Sequence, residues 1–174
     1  FGPFRVNAHI VVGIGESDRE LVDLLYRLRD MQVSAYLFSF YPEEGSPMAR
    51  RRRPSLVRFR RVQLVKHLME REGMGPEQVG FDDRGRIAHL EVPLPILDEA
   101  ISIGTPFLTG GCPDGDGDAV CTRPFGSYRP GEPFRDFPFQ PTRDDLARVR
   151  RQLRWRELLS PPAGLDTEQE RHPE

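Results

Sequence analysis

The chain has 174 residues, of which 37% are hydrophobic and 30% charged, and its formal net charge is −2. That is enough apolar material for one domain with a core, and the charge balance supplies no overall basic field for nucleic acid or for an anionic membrane. No apolar run approaches the roughly 18 residues that a membrane-spanning helix needs and no signal-peptide pattern stands in the sequence, so a cytoplasmic location is expected.

In chain order, the sequence starts without Met and runs almost at once into the β-branched segment Val6 to Ile14, as if cut from a longer polypeptide. This near-continuous apolar run, closed by Gly13 and Gly15, predicts a parallel strand buried on both faces. Ser17 with Glu20 three residues on is a capping box, and Leu21, Leu24, Leu25 and Leu28 form the apolar stripe of the helix it starts. "VSAYLFSFY", Val33 to Tyr41, predicts a second buried strand, so that strand, helix and strand make a right-handed βαβ unit. After a basic stretch, Pro54 near a first turn and the apolar positions from Leu56 to Leu68 predict a helix to about Glu72. "EQVGFDDRGRIAHL" reads as a hairpin turning at Asp82 to Gly85. A short helix from about Pro95 to Ile103 follows, stopped by Gly104 and Pro106. Beyond it come a cysteine loop, a Pro-rich ribbon to Pro141 and a helix capped by Thr142 reaching Leu159. The polar tail has the composition of disorder.

The alternation of strands and helices indicates an α/β fold. Two parallel strands with open edges are too few for a finished sheet, and such edges are a liability. The expectation is therefore the C-terminal part of a partial TIM-type (β/α) barrel with a C-terminal cysteine-containing extension. Its divisions are barrel over 1–106, cysteine loop and ribbon over 107–141, helix over 142–160 and disordered tail over 161–174.

Several motifs test and fail particular chemistries. "GIGESD" follows a strand like a dinucleotide-binding loop, but Asp18 stands where the third glycine belongs. What remains is a Gly-flanked turn that puts Glu16 at the C-terminal mouth of a strand, where α/β folds bind ligands. The alternative is that Glu16 only favours the positive end of the next helix. "DGDGD", Asp114 to Asp118, opens like a calcium loop, but Ala119 and Phe125 occupy the positions that need Gly and Glu. Arg50 to Arg53 read either as an anion patch or as a solvated connection. His9, His67, His89 and His172 show no ligand spacing and are read as ordinary residues. Both cysteines of the chain, Cys112 and Cys121, lie in one Gly-rich loop. In a reducing compartment such a pair suggests a metal site, a redox pair or no special role.

"HIVVGIGESDRELVDLLYRLRDMQVSAYLFSFYPEEGSPM" resembles the second half of the barrel in radical S-adenosylmethionine (SAM) enzymes of the biotin synthase and lipoyl synthase type. Val11, Gly13 and Glu16 match that family's Ile/Val-x-Gly-x-x-Glu stretch at the end of the fifth strand, and "FYPEEGSPM" matches the end of its sixth. "GCP…CTRPFGSYRPGEP" is similar to the Cys-Pro-x-Cys-Asn-Arg-Pro segment of biotin-synthase-like components of two-component lipoyl synthases. Here the interval between the cysteines is longer, Thr122 replaces Asn, and the Cys-x-x-x-Cys-x-x-Cys loop of the radical-generating cluster is absent, so this chain alone is expected to be inactive.

The resemblance implies an enzyme that inserts sulfur at unactivated C–H bonds, with SAM and [4Fe–4S] clusters as cofactors. Val11, Gly13, Glu16, Phe40, Tyr41 and Pro42 would lie at the SAM adenosyl part. Cys112 and Cys121 would ligate an auxiliary cluster, with Arg123 and Arg129 near its charge. The implied partners are a lipoyl-carrier protein, another acylated protein or a small-molecule substrate, a second synthase component and a reductant, with no nucleic acid and no membrane. Two other readings stand beside it: a different radical SAM reaction such as methylation or rearrangement, and a non-catalytic metal- or partner-binding domain with a zinc site at the two cysteines.

Overall fold

The computed structural model describes residues 2–110, 112–113, 119–121 and 131–159, and of residues 112–113 and 119–121 the backbone alone. The order is β1 (Val6–Val12), α1 (Asp18–Asp30), β2 (Val33–Ser39), α2 (Leu56–Arg71), β3 (Val79–Phe81), β4 (Ile87–Leu90), α3 (Leu94–Ile103), β5 (Cys112–Pro113), β6 (Ala119–Cys121) and α4 (Arg143–Leu153). The fold is mixed α/β, with three separate two-stranded ladders: β1–β2 parallel, β3–β4 and β5–β6 antiparallel. Among the described residues these ladders do not close into a barrel, and no helix is long and apolar enough to cross a membrane.

Local chemistry sets most of the boundaries. The Ser17 hydroxyl accepts the Glu20 amide while the Glu20 carboxylate accepts the Ser17 amide, so α1 starts where the capping box places it. Thr142 and Asp145 do the same for α4. That helix ends at Arg154, which takes the left-handed conformation at φ 51°, and the chain continues to Leu159 as a separate 3₁₀ turn rather than as one helix. The turn Asp82 to Gly85 joins β3 to β4 as expected.

α2 is the centre of the molecule. Phe59, Val62, Leu64, Val65 and Leu68 are fully buried, and so is Arg60. A helix covered on nearly every side belongs in a core rather than on a surface. Leu21, Val22 and Leu25 of α1, Leu97 and Ile101 of α3 and Val149 and Leu153 of α4 complete the same cluster.

β1 and β2 run in register from Val6 opposite Val33 to Val12 opposite Ser39. Alternation along the pair puts Ala8, Ile10, Val12, Ala35 and Leu37 on the face that meets the core. The other face carries Asn7, His9, Val11, Ser34, Tyr36 and Phe38. Asn7, His9 and Val11 there are exposed. The expectation of burial on both faces is thus corrected: among the described residues the helices cover one face only, and the apolar run of β1 is half exposed. The strand β2 also ends two residues earlier than expected, at Ser39.

One buried cation ties the distant ribbon to this core. The Arg60 guanidinium donates to the carbonyls of Phe134 and Arg135 at 2.5 Å each, to Gln63 Oε1 at 2.9 Å and to Gln152 Oε1 at 3.2 Å. It also lies 5.3 Å from the ring centres of both Phe107 and Phe137. Removing it takes a charged donor from the carbonyls of Phe134 and Arg135 and leaves that of Arg135 with Gln63 Nε2 at 3.0 Å. Arg60→Ala is expected to lower unfolding stability by at least about 3 kcal/mol, the scale for breaking a buried charged network. Glu99→Ala, on the exposed face of α3, should stay within about 0.5 kcal/mol in the same urea titration.

Candidate functional site at the strand mouth

The turn after β1 is built around its own carboxylate. Glu16 Oε1 accepts the amide of Gly13 at 2.7 Å, and Oε2 accepts those of Ile14 at 2.9 Å and Gly15 at 3.0 Å. Gly13 sits at φ 106°, and a Cβ there would lie 2.7 Å from Pro54 Cδ, so both the turn and its closeness to the start of α2 require glycine. Arg58 closes the arrangement from α2. Its Nη2 donates to Glu16 Oε1 and to the Glu16 carbonyl, each at 2.8 Å, and its Nε donates to Asp18 Oδ1 at 2.5 Å. Asp18, 2% exposed, accepts the Ile87 amide at 3.1 Å through its other oxygen.

This geometry decides what Glu16 does locally. Its carboxylate has three backbone donors and a guanidinium, the full complement for two oxygens. It holds the loop in shape. A ligand at this mouth would meet the loop backbone and the neighbouring side chains rather than a free Glu16.

The other residues singled out in the sequence meet at the same end of the sheet. The Phe40 amide donates to the Val12 carbonyl at 2.8 Å, which joins the end of β2 to the end of β1. Phe40 is buried, while Tyr41 and Pro42 are half-buried beyond it. Val11, opposite Phe38, is 40% exposed on the uncovered face. Thus Val11, Gly13 and Glu16 from one strand end and Phe40, Tyr41 and Pro42 from the other border one mouth.

The basic stretch divides. Arg50, Arg51 and Arg52 are exposed, but Arg53 forms an ion pair with Glu132 and lies 5.0 Å from the Tyr41 ring centre. Arg53 therefore pins the ribbon to the mouth. The uncovered face also holds a ring cluster that the sequence did not single out. His9 stands edge-on to Tyr36 at 5.8 Å and tilts against Phe38 at 5.1 Å. The available signal was their shared parity in paired strands, which needed the register.

The two cysteines occupy a hairpin rather than a loop. Cys112 in β5 is the cross-strand partner of Cys121 in β6, so the backbone sets the two residues opposite one another across the long interval. Two residues earlier, Gly110 presses on β2: a Cβ there would lie 2.6 Å from the Tyr36 ring. The hairpin thus departs from beside Tyr36. The acidic run Asp114 to Asp118 and Arg123 and Arg129 lie outside the described residues, as does the tail from 160. Among the described residues no group of three or more His, Cys, Asp and Glu gathers as metal ligands. Comparison with protein-family models, with curated proteins and with solved structures finds no match.

Glu16→Gln replaces one acceptor oxygen by a donor that faces backbone N–H groups. It is expected to cost about 1–3 kcal/mol, the penalty for leaving such donors unmet. Amide exchange at Gly13, Ile14 and Gly15 should accelerate in the variant, whereas unchanged protection there would remove Glu16 as the organiser of the loop.

Proposed function

We propose that this chain is the closing part of a radical SAM (β/α) barrel, and that it serves a sulfur-inserting enzyme of the lipoyl synthase type. The observation that carries the reading is the placement of the cysteine hairpin. Gly110 packs on Tyr36, two residues before Cys112, and Cys112 is paired in register with Cys121. Tyr36 belongs to the one face of β1–β2 that the helices leave uncovered. A hairpin there lies beside the interior that a completed barrel would enclose, where barrel enzymes gather their chemistry.

Three further features support it. β1 and β2 are parallel, with helices on a single face, as neighbouring barrel strands are. Among the described residues both outer edges of the pair are unpaired, leaving room for further strands. The mouth residues Val11, Gly13, Phe40, Tyr41 and Pro42 sit together at the C-terminal strand ends, the position proposed for the adenosyl part of SAM. Glu16 enters this reading as a positioning residue that shapes the loop.

Thiolates are the usual ligands of iron–sulfur clusters, four to a cluster. Cys112 and Cys121 supply two, and the fit is a half-site whose remaining ligands come from elsewhere in the assembled barrel. A bound auxiliary cluster supplies the sulfide that is inserted, while SAM supplies the hydrogen-abstracting radical; the protein contributes ligands, orientation and exclusion of water. The proposed partners are an acylated carrier protein, a second synthase component and a reductant.

The test is anaerobic reconstitution of the enzyme containing this chain, with iron, zinc and acid-labile sulfide counted. Cys112→Ala and Cys121→Ala should each lose about four iron atoms and the matching sulfide relative to the parent. Full retention of iron and sulfide in both variants would remove the cluster from these residues. Zinc without sulfide in the parent would assign the pair to a binding module instead.

A further inference from the structure

Alongside β2, from Ser34 to Phe38, a cavity of about 650 Å³ opens between the strand, the C-terminal half of α2 and the segment from Thr105 to Gly110. This is within the range of about 300–1,000 Å³ typical of small-molecule sites. His67 lines it. The residue is 8% exposed, yet its imidazole makes no hydrogen bond to any described residue. Its ring nitrogens are reachable from the cavity, where a ligand can meet them.

The charges around the ring specify what that partner is. Lys66, Glu70 and Arg71 of α2, Arg29 of α1 and Asp136 of the ribbon also line the cavity. Lys66 is paired with Glu70 at 2.6 Å, and Arg29 with Asp30 at 3.1 Å. Arg71 has no ion pair among the described residues, and it stands one helical turn from His67, on the same side of α2. Burial, then Arg71, then Lys66, lower the His67 pKa to about 4, so the ring is neutral near pH 7 and presents one N–H donor. Leu37, Phe38 and Leu108 provide an apolar wall.

We propose that this cavity binds a small organic monocarboxylate, its carboxylate held by Arg71 and by an N–H of His67 and its apolar body against Leu37, Phe38 and Leu108. A single carboxylate meets Arg71, the one lining cation with no ion pair among the described residues, and the carboxylates of Glu70 and Asp136 oppose a second negative charge. The inference stands on the cavity alone and does not depend on the radical SAM reading.

The test follows the His67 imidazole resonances by NMR, with hexanoate as the probe and hexanol and inorganic phosphate as controls. Hexanoate should shift them saturably. An anion beside the ring favours the imidazolium, so the pH at which His67 titrates should rise above about 4 when hexanoate is bound. Arg71→Gln changes an exposed side chain, and should weaken hexanoate binding about tenfold, the loss expected for one charge-assisted contact. The proposal is overturned if hexanoate leaves His67 unmoved, if hexanol or phosphate shifts it equally, or if Arg71→Gln binds hexanoate as the parent does.

Discussion

Three arginines in one turn of α2 hold the rest of the molecule in place. Arg58 reaches the turn after β1 through Glu16 and Asp18. Arg60, fully buried, receives the ribbon at Phe134 and Arg135. Arg61 donates to the Ile87 carbonyl of β4 at 2.9 Å and to the Leu153 carbonyl at the end of α4 at 3.3 Å, and pairs with Glu157 at 2.7 Å. Successive helical residues point about 100° apart, so three neighbouring guanidiniums serve three directions. Each planar fork satisfies several carbonyls at once, which suits segments that lack regular secondary structure. The burial of Arg60 carries a desolvation cost, visible in a pKa lowered to about 10, with Asp136 opposing the shift. Its hydrogen bonds and the two flanking phenylalanine rings offset that cost.

This hub explains why the strand mouth has a defined shape although only two strands form it. Arg58 fixes the loop around Glu16, Pro54 at the approach to α2 packs on Gly13, and Arg53 ties Tyr41 to Glu132 of the ribbon. The uncovered face of β1–β2 is consequently presented in a rigid frame, with Gly110 and the cysteine hairpin along its side. Gly13 and Gly15 both take positive φ, which glycine adopts without strain, and Gly13 lies close against Pro54.

The features legible in the sequence were the local ones. The capping box at Ser17, the cap at Thr142, the turn at Asp82 and the helix from Leu56 to about Glu72 rest on contacts a few residues apart, and the structure has them there, the helix closing at Arg71. The roles of Arg58, Arg60 and Arg61 were hidden because their partners lie roughly 26 to 96 residues away in the chain. Hydrophobicity alone could not show that β1 is covered on one face, since Val11 and Val12 read alike but fall on opposite sides. His67 looked ordinary for the same reason: its character comes from a cavity assembled by α2, β2 and the ribbon. Glu16 was located correctly at the mouth, yet its saturation by the loop's own amides depended on a glycine turn whose geometry the sequence only allowed.

The central claim is that the cysteine hairpin and the uncovered face of β1–β2 form one site. The most direct measurement is paramagnetic broadening of histidine ring signals in the anaerobically reconstituted enzyme, with parent and Cys112→Ala spectra compared after reduction. His9 lies in the ring cluster with Tyr36, against which Gly110 packs, whereas His89 lies in β4 on the separate β3–β4 ladder. The account predicts that the His9 signal broadens in the parent far more than that of His89, and that the Cys112→Ala variant loses this difference. Equal broadening of both rings, or a His9 signal that is the same in parent and variant, would contradict it.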